Sequence, residues 1–131
     1  MLMSKSYLKK IIARSPEDLQ MISACCSEAK VITKDIKYLP SNKIFLLSLS
    51  RINKETKDEN KLINSVIKFE LIESSKAKNI DQKNFNLELE LLAIDLFKKD
   101  QNFVINLLFS KNRIITLNAE VIEVTLEDQN Q

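Results

Sequence analysis

A chain of 131 residues, 44% hydrophobic and 29% charged with a net charge of +2, has the composition of one globular domain. It contains no Gly and no His. That excludes the P-loop, the dinucleotide fingerprint, the Gly-flanked nucleophile elbow and every histidine-based relay, since each needs a Gly where backbone turns sharply or meets phosphate, or an imidazole as base. No apolar run approaches the ~20 residues of a membrane span, and the N-terminal stretch lacks the apolar core of a signal peptide, so a cytoplasmic protein with no membrane partner is expected.

In chain order, a short strand over 8–13 comes first. Ser15 then reads as a helix N-cap, Pro16 as the first helical position, and Glu17 and Asp18 as first-turn acids that the helix dipole favours. Leu19, Ile22, Cys26 and Ala29 recur at three-and-four spacing, which predicts a helix to about Ala29. Glu17, Gln20, Ser23, Ser27 and Glu28 form its solvated side. Adjacent Cys25 and Cys26 point ~100° apart on a helix and cannot make the usual disulfide; without His they also fall short of the four ligands of structural zinc. They read as small buried residues in a reducing compartment, with a redox or persulfide role as the alternative. No metal and no cofactor is expected.

Beyond the helix the period changes to two. Strands are predicted over 31–39 and 43–52, forming a hairpin around Pro40-Ser41-Asn42, where Asn42 can take the left-handed conformation usual for Gly. A further strand covers 63–73. The segments 53–61 and 74–84 read as loops, the second with only Ala77 and Ile80 to bury. A long strand over 85–97 slips phase near Leu91-Leu92, as a β-bulge does. Strands over 102–109 and 113–126 close the pattern around Ser110-Lys111-Asn112, with a second slip between Ala119 and Ile122. The reading is a single α+β domain over 1–131, with 127–131 a polar tail. About seven mostly antiparallel strands would form a curved sheet or half-barrel around one N-terminal helix, a pleckstrin-homology-like barrel being a possible topology by analogy.

Charge is uneven: residues 1–54 hold ten basic against four acidic residues, so the remainder is net acidic. This permits weak nucleic-acid binding through the basic first half, although few aromatics stand near these lysines to stack bases. The pair Glu88/Glu90 projects to one face of a strand about 7 Å apart, opposite Leu87, Leu89 and Leu91, and reads as a polar outer face. Glu120/Glu123 reads likewise.

The segment Asp35-Ile36-Lys37-Tyr38-Leu39-Pro40, with Arg51 on the paired strand, carries the best binding candidates: Arg51, Tyr38, Asp35 and Lys37. Together with Pro16-Glu17-Asp18-Leu19-Gln20-Met21-Ile22-Ser23-Ala24, the strand ending at Arg51, Leu91-Leu92-Ala93-Ile94 and Leu126-Glu127-Asp128, it resembles an uncharacterised alphaproteobacterial domain-of-unknown-function family. Ser27-Glu28 and Tyr38 depart from that family's usual Gln-Asp and Trp. The resemblance implies a small cytoplasmic protein with no assigned activity.

Tyr38 and Arg51 fall at opposite ends of the hairpin, so they cannot share a small pocket within it. Tyr38 reads as an aromatic covering the core edge with its hydroxyl in water. Arg51 reads as a donor to helix C-terminal carbonyls or to Glu28, the alternative being an anchor for an anionic ligand or partner carboxylate. The expected function is a noncatalytic module binding another protein, with exposed edges open to strand addition and a homodimer possible. A small-molecule sensor or enzyme using Asp, Glu, Lys or Tyr is the first alternative, and a nucleic-acid binder the second.

Overall fold

The structure, a computed structural model, describes residues 8–52 and 62–129; the loop expected over 53–61 lies outside them. Strand β1 (Lys10–Ala13) is followed by the helix α1 (Pro16–Cys25). The Ser15 hydroxyl accepts from the Asp18 amide at 3.2 Å, and Pro16 sits where its missing N–H has no helical partner to lose. The helix ends earlier than its apolar spacing predicts. Cys26 is the C-cap, Glu28 turns left-handed at φ 70°, and Ala29 already belongs to the sheet.

Among the described residues ten strands form one sheet with this single helix, every neighbouring pair antiparallel, as the sequence pattern anticipates in kind. The count is ten rather than seven because three expected strands are each broken in two. The strand expected over 31–39 divides into β2 (Ala29–Ile32) and β3 (Ile36–Leu39) around a single 3-10 turn, Thr33–Asp35. The cause is a competing set of bonds: the Thr33 and Lys34 amides donate to Leu87 and Phe85 carbonyls, and the Thr33 hydroxyl donates to Asn84 O at 2.6 Å. Strand β4 (Ile44–Ile52) runs unbroken, burying Phe45, Leu47, Leu49 and Arg51 in strict alternation.

The strand expected over 63–73 becomes β5 (Leu62–Phe69) and β6 (Ile72–Lys78), separated at Leu71, whose φ is 61°. The first five residues of the loop expected over 74–84 therefore belong to strand β6. Its Ser-Ser-Lys-Ala-Lys composition lacks an apolar alternation because it is an edge, and polar edges are how sheets avoid unwanted pairing. Strand β7 (Glu88–Lys99) carries the anticipated bulge, with register shifting between Leu91 and Ala93. At this irregularity the Ile94 amide donates to the Ser23 hydroxyl of α1 at 2.9 Å, so Ser23 faces the sheet and not solvent. Strand β8 (Asn102–Phe109) turns through Lys111 and Asn112, both left-handed, into β9 (Arg113–Ala119). The second phase slip is a break: β10 (Val124–Asp128) is a separate strand. Its corner grips the one at Leu71, with Glu70 N donating to Glu123 O and Glu120 N to Leu71 O.

The sheet order is β1-β10-β5-β4-β2-β7-β8-β9-β6, with β3 beside β4. One buried cluster, from Leu19 and Ile22 of the helix to Phe69, Leu107, Leu117 and Leu126, fills the inner face. Two turn expectations change. In the β3–β4 turn Lys43, and not Asn42, is left-handed at φ 57°, because Asn42 N and Lys43 N each donate to a carbonyl three residues back and the reversal falls on the last residue. The expected polar tail begins inside β10: Glu127 pairs with Lys10, and Asp128 is buried.

Candidate functional site

A cavity of about 400 Å³ opens between β3 and β6. Among the described residues β3 pairs only with β4, and β6 only with β9, so each strand leaves one edge open. Cross-strand pairing puts Ser75 opposite Leu117 and Ala77 opposite Ile115, which places both small residues on the core face of β6. Their size leaves the space. Ile36 and Tyr38 form the facing wall, with Phe45 and Ile115 also lining the cavity. Ile80 packs against the core from the following loop, and Phe85, 67% exposed, stands at the same cavity with Lys34.

Tyr38 joins the two walls. Its ring lies opposite Phe45, centroids 6.4 Å apart, and Phe45 meets Phe69 edge-on at 5.9 Å. Its hydroxyl donates to Ile72 O at 3.1 Å, where water was the expected partner. Ile72 N in turn donates to Lys43 O at 2.9 Å, so both backbone groups of Ile72 point across the gap and pinch it shut at that end. The Lys43 ammonium bridges Glu120 and Glu73 at 2.9 Å each, and these hydrogen bonds hold its pKa above the ordinary lysine range.

Arg51 is elsewhere and inaccessible. Its Nε donates to Asp128 Oδ1 at 3.1 Å and its Nη2 to Oδ2 at 2.9 Å, while the Ser65 hydroxyl donates to Oδ1 at 2.6 Å and the Lys9 amide to Oδ2 at 2.9 Å. The carboxylate it engages is thus Asp128, where the sequence suggested Glu28. Burial pushes the Asp128 carboxyl up, but the hydrogen bonds from Arg51, Ser65 and the Lys9 backbone, with the Arg51 charge, outweigh it and hold the group below the usual aspartate range. This node ties β4, β5 and β10 to Lys9, the residue before β1.

Of the four candidates, then, only Tyr38 lines the cavity. Lys37 is exposed on the outer face of β3, and Asp35 borders a separate depression with Lys30, Ser48 and Asn64. Tyr38 and Arg51 do not meet in one pocket. The sequence reading missed β6 as a wall, Ser65 and Asp128 as partners of Arg51, and Phe85 as a cavity residue; the isolated apolar pair Ala77 and Ile80 in a polar stretch was the available signal. Glu88 reaches Lys30 at 3.6 Å, and Glu123 reaches Arg14 at 3.1 Å, so the carboxylate pairs serve exposed ion pairs. Cys26 is buried and Cys25 half-buried. Among the described residues no group of three or more His, Cys, Asp or Glu side chains is placed to hold a metal, and no helix is long and apolar enough to cross a membrane.

Compared with known proteins, residues 9–131 match the model of a family described as "Protein of unknown function (DUF2948)". No curated protein and no solved structure matches the chain.

Proposed function

The chain belongs to this family of unknown function, and from that premise we propose that it is a noncatalytic cytoplasmic module that binds another protein through the gap between β3 and β6. The observation that carries the reading is the pairing of two open strand edges with an apolar cavity between them. Unpaired N–H and C=O groups on an edge are a template for an incoming extended segment, and a cavity beside them selects one of its side chains. Tyr38 is a specificity wall in this reading, and Arg51 is structural. A curved, pleckstrin-homology-like half-barrel is a proposal of the same kind, supported by the bulge after Leu91 and by the bonds that bring Ile72 to Tyr38 and Lys43.

The test is capture of partners from nuclease-treated native lysate by the wild-type chain and by Ala77→Phe, which puts a ring into the cavity. A protein recovered by the first and lost by the second is the expected result. Equal recovery by both, or recovery that nuclease abolishes, contradicts the proposal.

A further inference from the structure

Resting on that binding reading, we propose that the segment received between β3 and β6 is an acidic extended peptide carrying one large apolar side chain, paired along the open edge of β6. The alternation of a strand dictates the composition of its neighbour. On β6, half-buried Ser75 and exposed Ala77 line the cavity, whereas Lys76 and Lys78, opposite Thr116 and Ile114, lie on the alternate face and are exposed. A strand laid beside them puts every second side chain over Ser75 and Ala77, into the cavity, and the others against the two lysines. Lys37 is exposed on β3, the strand on the other side of the gap, and Lys34 lines the cavity itself. Of the nearby carboxylates, Glu73 is engaged by Lys43, Asp81 caps the Lys83 amide, and Asp35 borders the separate depression. The outward positions therefore favour Glu or Asp, and the inward position favours an apolar group.

Ile72 marks the direction of pairing, since its N–H and C=O both already point across the gap. The space widens beyond it because Ser75 and Ala77 are small. A volume of about 400 Å³ sits at the lower end of ligand cavities, suited to one large side chain and not to a folded surface. Nucleic acid fits less well: it brings no backbone amides to a strand edge, and Phe85 is the sole exposed aromatic at the cavity among the described residues.

The test displays a random peptide library to the full chain. Enriched sequences should alternate acidic and apolar residues. The best binder should weaken at least about tenfold with Ala77→Phe and with the exposed double substitution Lys76→Glu and Lys78→Glu, each variant keeping the wild-type circular dichroism. The double substitution, being on the surface, leaves the test decisive should Ala77→Phe fail to fold. Enrichment of basic or uncharged peptides overturns the acidic assignment while leaving the binding module standing. Light scattering that shows a dimer dissolved by Ala77→Phe does the same, whereas a single-stranded oligonucleotide that outcompetes the peptides overturns the protein-binding module as well. Undiminished binding of a backbone N-methylated peptide overturns edge pairing, and absence of any enrichment overturns the module along with its ligand.

Discussion

Arg51 and Asp128 meet fork to fork inside the protein, 77 residues apart in the chain, with side-chain exposures of 0% and 1%. Two charges so thoroughly removed from water add little net stability, yet removing Arg51 leaves the Asp128 carboxylate buried without its cation, held by the Ser65 hydroxyl and the Lys9 amide. Arg51→Ala should therefore destabilise by about 3–5 kcal/mol, read as a lowered urea midpoint. The double variant Arg51→Ala with Asp128→Ala should lose clearly less than the sum of the two single losses. Additive losses, or an Arg51→Ala protein as stable as wild type, would remove the structural role assigned to the arginine.

Acid should act through the same pair. The folded-state pKa of Asp128 is lowered, so the unfolded chain takes up the proton first as pH falls. Its contribution is complete above the unfolded aspartate pKa of about 3.9 and is lost as pH drops through the lower folded value. Stability measured from pH 7 downward should fall below about pH 4 in wild type, and this part of the decline should vanish in Asp128→Asn, which starts less stable but flatter. Identical acid slopes for the two proteins would contradict the assignment.

Left-handed positions should respond to glycine. Glu28 at φ 70° and Leu71 at φ 61° adopt a backbone region in which a Cβ is strained by roughly 1–2 kcal/mol. Glu28→Gly, at an exposed site just beyond the helix, is expected to raise stability by up to about 1 kcal/mol with an unchanged denaturant slope. Leu71→Val should lower it by at least about 1 kcal/mol, because branching at Cβ worsens the same clash. A destabilised Glu28→Gly protein would show that the strain lies elsewhere.

Tyr38→Phe separates the hydroxyl from the ring. It deletes the bond to Ile72 O and keeps the packing on Phe45, so it should cost about 0.5–1.5 kcal/mol. Amide exchange should accelerate at the start of β6 more than in the middle of β4. Uniform acceleration across both strands would mean that the hydroxyl does not hold the two walls together.

The sequence announced what local physics controls. Ser15 and Pro16 start the helix where capping rules say, and the doubled apolar run at Leu91-Leu92 marks the bulge. What escaped it depends on distant partners. The break at Thr33 needs the carbonyls of Leu87 and Phe85, more than fifty residues on, and Ser23 turns inward only because the bulge delivers the Ile94 amide to it. Strand β6 hid because an edge strand need not alternate apolar and polar residues, and a cavity made by smallness leaves no motif. Asp128 hid for another reason: a carboxylate beside Glu127 in a polar stretch carries no mark of the arginine that it meets in the interior.

The closing of that carboxylate on the Lys9 amide, 119 residues away, sets an order on how the molecule is made. Synthesis runs from the N-terminus at roughly 5–20 residues per second, so the arginine is produced several seconds before the acid that neutralises it. During that interval β4 carries a charge it cannot bury, β1 lacks its sheet neighbour β10, and β5 has only one of its two partners. A chain halted on the ribosome short of residue 128 should be cut rapidly by added protease, and one released beyond it should resist. Closure of the buried node thus waits on residue 128, and a chain cut short before it should be degraded faster than one that contains it.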